Sequence, residues 1–232
     1  MRLTGAQITR MIDLSAVRAN DDEHMIEELV RCALEYRVCL VTTLPAYTAL
    51  AKRLLGGAKD IGLSGNVGFP DGGHTTPAKV EETLELVQMG VTELDMVISL
   101  GNLLSGRRQA VLDDLRAVVE AGQGLPVKAI IECHYLTDDQ IREASDVCIE
   151  AGAAFVKTGT GWAPTGATVE NVALIKKHVG DRIQIKASGG VRSLETVLEM
   201  YRRGATRFGI GLRHATEILE ACRAMPPEGV EV

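Results

Sequence analysis

Short apolar runs alternate with helical patterns eight times along this chain, and few folds accommodate so regular an alternation. The runs are Met11–Ser15, Val38–Thr43, Leu63–Phe69, Glu93–Ile98, Val127–Glu132, Phe155–Lys157, Ile183–Ser188 and Arg207–Gly211. Signals for helices lie between them. Asn20 reads as a cap with Glu23 three residues on, followed by Met25, Leu29 and Ala33 on one face. Pro45 opens a helix that runs to Leu55 and ends at Gly56-Gly57, and Pro77–Met89 reads as a helix with Val80, Leu84 and Val87 inward. Gln109–Ala121, the segment behind the Thr137–Gln140 capping box, Val169–Val179, Leu194–Arg203 and His214–Met225 complete the set, and Leu3–Thr9 adds a short covering helix in front. At 232 residues, with no linker or low-complexity stretch to divide it, the chain is expected to form a single (β/α)8 TIM barrel over 1–232.

A weak repeat fixes which strand positions face the same way. Asp95, Lys157 and Gly209 each lie five residues after a glycine, namely Gly90, Gly152 and Gly204. The glycine suits the left-handed residue that ends a helix, and the strand then carries each of these positions towards the C-terminal rim, where barrels build their active sites. Phe155-Val156-Lys157 runs into Thr158-Gly159-Thr160-Gly161, and 29 residues further on Ile185-Lys186 runs into Ala187-Ser188-Gly189-Gly190. That spacing is about one strand-helix unit, so the two amines are expected to be neighbours in space. A lysine at a strand end ordinarily lays its stem on apolar surface and leaves its amine in water. Two in matching positions, in a partly dry pocket, instead favour the neutral form of one amine, which attacks carbonyls. Asp95, a carboxylate within an apolar run, reads either as their salt-bridge partner or as a proton shuttle, and both readings need one geometry.

Two glycine turns suit an anion. Gly189-Gly190 and Gly209-Ile210-Gly211 each run into a helix and present backbone N–H groups, as in the phosphate sites that barrels build after strands seven and eight. His74, His134 and His214 lack ligand spacing and read as surface or loop residues, so no metal is expected. Trp162 reads equally as a pocket wall or a packing residue. A formal charge of −6 argues against nucleic acid or an anionic membrane as partner, and five scattered cysteines without a CxxC pair suggest reduced thiols. No apolar leader or membrane span is evident, and the chain is expected to be cytoplasmic. Barrels of this size are often homodimers, although no stripe in the sequence marks an interface.

Phe155–Gly161, Lys186–Arg192, Glu93–Val97 and Gly68–Gly72, in this order and spacing, resemble deoxyribose-phosphate aldolase, and the resemblance extends from Met11 to Gly209. It implies a class I aldolase without metal or cofactor that cleaves 2-deoxy-D-ribose 5-phosphate to D-glyceraldehyde 3-phosphate and acetaldehyde. It implies Lys157 as the Schiff-base lysine, Lys186 as the lysine that lowers its pKa, and Asp95 as the acid/base partner acting with a water. It also implies substrate contacts from Asp13, Ser15, Phe69 and Thr160, and phosphate contacts from Gly161, Gly189, Gly190, Gly209 and Gly211. Where the family usually carries serines after the last phosphate loop, this chain reads Ile210-Gly211-Leu212; Thr42 and Gly159 stand where cysteine and serine are common. Two other readings compete. A related lysine aldolase for an unphosphorylated or different aldehyde predicts equal turnover of plain 2-deoxyribose, and a non-catalytic sugar-phosphate-binding barrel predicts binding without turnover.

Overall fold

Eight parallel strands close on themselves in a computed structural model that describes residues 2–232. The chain begins with β1 (Arg2–Leu3) and α1 (Gly5–Thr9), then alternates β2 (Ile12–Ala16), α2 (Glu23–Tyr36), β3 (Leu40–Thr43), α3 (Pro45–Leu55), β4 (Gly62–Val67) and α4 (Thr76–Met89). β5 (Glu93–Val97) is followed by the short α5 (Leu100–Leu104) and by α6 (Arg108–Ala121), then come β6 (Val127–Ile130), α7 (Asp138–Ala151), β7 (Phe155–Lys157) and α8 (Val169–Val179). β8 (Gln184–Ser188), α9 (Leu194–Arg202), β9 (Arg207–Gly211), α10 (Leu212–Arg223) and β10 (Val230–Glu231) complete the chain. Strands β2 to β9 form the barrel in sequence order, with β9 returning to β2. β1 and β10 pair antiparallel outside it.

Local chemistry accounts for most boundaries. Thr137 and Gln140 make the expected capping box at the start of α7, and α3 and α8 begin and end where the sequence marks them. Gly90 and Gly152 end α4 and α7 in the left-handed region, at φ 77° and 81°. The covering helix in front starts at Gly5 rather than Leu3, which lies in β1, and three further expectations shift. Asp22, not Asn20, caps α2 by accepting the Met25 N–H, and the last helix starts at Leu212 rather than His214. The third concerns α4, whose buried residues are Lys79, Thr83 and Leu86, while Val80, Leu84 and Val87 are only half-buried.

That rotation has a polar cause. The Lys79 ammonium, fully buried, donates to Asp114 Oδ2 on α6 at 2.7 Å and to the Val97 carbonyl at 3.1 Å. Thr76 donates to the other oxygen of the same carboxylate at 2.7 Å. A hydrophobic pattern cannot reveal an inward lysine whose partner lies on another helix. The layer between sheet and helices is otherwise mainly aliphatic, with Leu14, Val41, Met96, Val156 and Ile185 in one core with Leu29, Leu115, Val147 and Ile175.

Candidate active site

Inside the barrel the aliphatic filling gives way to charge. Register brings Asp95 beside Lys128, and Lys157 beside Lys186, on successive strands. Asp95, fully buried, holds three amines: its Oδ1 accepts from Lys128 at 2.7 Å, and its Oδ2 accepts from Lys157 at 2.7 Å and Lys186 at 2.8 Å. Lys186 also meets Asp13 Oδ2 at 2.6 Å. Lys128 also meets Glu93 Oε2 at 2.7 Å and lies 4.0 Å from Asp13. Arg207 completes the set lower in the barrel, bridging Asp13 at 2.7 Å and Glu93 at 3.0 Å.

Burial and these pairings set the protonation states. Burial alone would push the Asp95 carboxyl up, but Lys128, Lys157 and Lys186 outweigh it and hold the group well below the ordinary carboxylate value. Burial works equally against a charged Lys128, and Asp95, Asp13 and Glu93 reverse the effect and raise its pKa. Lys157 goes the other way. Burial is the leading cause, Asp95 opposes it, and the like charges of Lys186 and Lys128 assist, leaving Lys157 lowered to about 8. Roughly a tenth of this amine is then neutral at pH 7, against well under a thousandth for an ordinary lysine. Both causes expected from the sequence, the neighbouring lysine and the partly dry pocket, act here, and desolvation is the larger.

Above this cluster opens a cavity of about 330 Å³. Lys157, Lys186 and Asp95 lie in its lining, as do Asp13, Ser15, Phe69, Thr160, Gly161, Gly189, Gly190, Gly209 and Gly211, so all the site residues named from the sequence meet at one place. Gly209 is there for space, since a Cβ would stand 2.6 Å from Ser188 Cβ and 3.3 Å from Lys186 Cε. Gly159 is similarly confined, with Glu132 Oε1 2.8 Å and the Ser188 carbonyl 3.2 Å from where a Cβ would sit. Thr42 Oγ1 and Asn66 Oδ1 are buried in the same lining and find no hydrogen-bond partner among the described residues. They are the acceptors a polyhydroxylated molecule would satisfy. At the mouth stand Arg18, Arg192 and Arg213, and Arg213 is held by Asp21 at 2.8 Å.

Trp162 serves packing at the rim. Its Nε1 donates to the Val17 carbonyl at 2.9 Å and its ring meets Phe69 edge-on at 6.2 Å. His74 and His214 are exposed, and His134 is half-buried beside Thr165. His214 nonetheless reaches the cavity rim. Among the described residues no three His, Cys, Asp or Glu side chains are grouped to hold a metal ion.

Sequence reasoning missed Lys128, Glu93, Arg207 and Glu132. Glu132 follows β6 in the left-handed region at φ 49°, a conformation that costs a non-glycine residue about 1–3 kcal/mol. Its buried carboxylate accepts from the Thr160 N–H at 3.2 Å and from the Thr160 hydroxyl, which ties the loop after β7 to the end of β6. Burial pushes the Glu132 carboxyl up, against the two bonds from Thr160.

Comparison with known proteins places this geometry. The family model described as DeoC/LacD family aldolase matches residues 9–213. The deoxyribose-phosphate aldolase of Klebsiella pneumoniae is 42% identical over 228 residues, covering 97% of this chain and 92% of its own. That of Sinorhizobium medicae is 43% identical over 232 residues, covering 99% and 93%. Among solved structures, the aldolase QR15 superposes with a TM-score of 0.87 at 37% identity, covering 92% of this chain and 95% of its own. The tetrameric deoxyribose phosphate aldolase from Aeropyrum pernix gives 0.85 at 28% identity, covering 96% and 94%.

Proposed function

Because the chain belongs to the DeoC/LacD family of aldolases, we propose that it reversibly cleaves 2-deoxy-D-ribose 5-phosphate to D-glyceraldehyde 3-phosphate and acetaldehyde through an imine on Lys157. The observation that carries this reading is a buried amine at the cavity floor, lowered to about 8 and bonded to an ionised carboxylate at 2.7 Å. Neutral Lys157 Nζ adds to the aldehyde carbon of the open-chain sugar, and proton transfer lets water leave as the iminium forms. The hydroxyl on the third carbon then gives up its proton to Asp95 by way of a water. The bond between the second and third carbons breaks, and its electron pair passes into the iminium to give an enamine. The three-carbon aldehyde phosphate departs; protonation of the enamine carbon and hydrolysis of the imine release acetaldehyde and the lysine.

Asp95 suits the proton traffic because it touches both Lys157 and Lys186 through one oxygen. Asp13, Ser15, Phe69 and Thr160 are read as substrate contacts, with Thr42 and Asn66 added on the strength of their unpaired acceptors. For the phosphate, the backbones of Gly161, Gly189, Gly190, Gly209 and Gly211 offer donors, and Arg192 and Arg213 offer charge at the mouth.

Borohydride reduction in the presence of acetaldehyde, followed by intact mass and peptide mapping, tests the imine. A stable ethyl adduct on Lys157 is expected, and a folded protein that gives none refutes the assignment. Ile210 and Leu212, without hydroxyls, favour a second reading in which the acceptor aldehyde carries no phosphate. Turnover of 2-deoxyribose 5-phosphate against 2-deoxyribose decides it: a higher kcat/KM for the phosphate ester is expected, and equal values would remove the phosphate from the substrate.

A further inference from the structure

Three buried ammonium groups converge on one carboxylate, but they are not equally supported. Lys186 has Asp13 as well as Asp95, and Lys128 has Glu93 at 2.7 Å with Asp13 further off. Among the described residues Lys157 forms one ion pair, with Asp95, and it shares that oxygen with Lys186. The other oxygen, Oδ1, is engaged by Lys128. Lys128 does not line the cavity and is completely buried beneath it, so it is placed to act on the amine above through Asp95 rather than on a substrate.

We propose that Lys128 is a positioning residue that makes Lys157 the amine of the three that gives up its proton most readily: by engaging Asp95 Oδ1 it divides that carboxylate among three cations and leaves Lys157 the least compensated. Glu93 and Arg207 form the footing of this device. Glu93 pairs with both Lys128 and Arg207, and Arg207 also pairs with Asp13, so Lys128 keeps its charge and its place. The charged groups around Lys157 are thus Asp95 from β5, Lys128 from β6, Lys186 from β8 and Glu132 from the turn after β6. Of the two amines that share Asp95 with it, Lys186 reaches the cavity and is available to substrate, whereas Lys128 is not. Removing the Lys128 charge frees Asp95 Oδ1 and lifts one like charge from Lys157. Both effects favour the protonated amine, so the pH at which Lys157 becomes a nucleophile moves upward.

The inference rests on Lys157 forming the imine, and the experiment separates the two claims. The rate of borohydride-trapped ethyl adduct formation with acetaldehyde is measured against pH for the full chain and for Lys128→Met and Lys128→Gln. The first variant fills the volume without charge; the second keeps a hydrogen-bonding group without charge and decides the matter if the first does not fold. In the unaltered chain an adduct on Lys157 establishes the premise, and none on Lys157 sinks that premise. In either folded variant the acid limb is expected to move up by about one pH unit, which lowers trapping at pH 7 about tenfold. A limb that stays in place while the plateau drops would mean that Lys128 only supports the fold, and would overturn the proposal.

Discussion

A lysine becomes a useful nucleophile here through where it is kept more than through what it touches. Burial is the largest cause of the lowered basicity of Lys157, and Asp95 works against it. Because the neutral amine is the reactive form, imine formation is expected to rise with pH along a limb centred near 8, measured by trapping rates with acetaldehyde. Lys157→Leu is expected to lower kcat/KM at least about a thousandfold while leaving the circular dichroism spectrum unchanged; near-normal turnover would disprove the role. Lys157, Lys186 and Asp95 were legible because each stands in an apolar run at a recognisable distance from a helix-ending glycine or a glycine-rich loop. Lys128 obeys no such spacing, since the turn Gln123-Gly124-Leu125-Pro126 intervenes between Gly122 and its strand. Arg207 lies at the start of β9, a position that a search of strand ends passes over.

Among the elements, α4 and α6 are joined by charge. Breaking a buried ion pair by removing one partner strands the other, at a cost of about 3–5 kcal/mol. Asp114→Ala leaves the buried Lys79 ammonium with only the Val97 carbonyl, so a loss of stability of that size is expected in urea unfolding. A loss under 1 kcal/mol would show that water reaches the ammonium. Pro45 and the Thr137–Gln140 capping box made α3 and α7 readable, because those signals are local. The inward face of α4 was not readable, because Thr76, Lys79 and Thr83 look solvent-facing until Asp114, 35 residues beyond Lys79, arrives from the next long helix. Hydrophobic periodicity assigns a lysine outward by default.

Across the whole molecule, the interior charges come from β2, β5, β6, β7, β8 and β9, so closing β9 against β2 is what completes them. An open sheet would leave Asp13 without a neighbouring Arg207. Loss of trapping competence and loss of far-ultraviolet circular dichroism are therefore expected at the same urea midpoint, and an earlier loss of trapping would place the site in a separately melting part. The closed barrel was legible from eight alternations alone; its ionic filling was not, since pairings between residues as distant as 13 and 207 leave no local mark. Closure also decides when the protein can be harmed by its own substrates. During synthesis Lys157 is an ordinary, protonated lysine in water, no more prone to aldehyde adducts than any other. Only the finished barrel strips it of water and loosens its hold on the proton, so the reactive amine comes into being already enclosed.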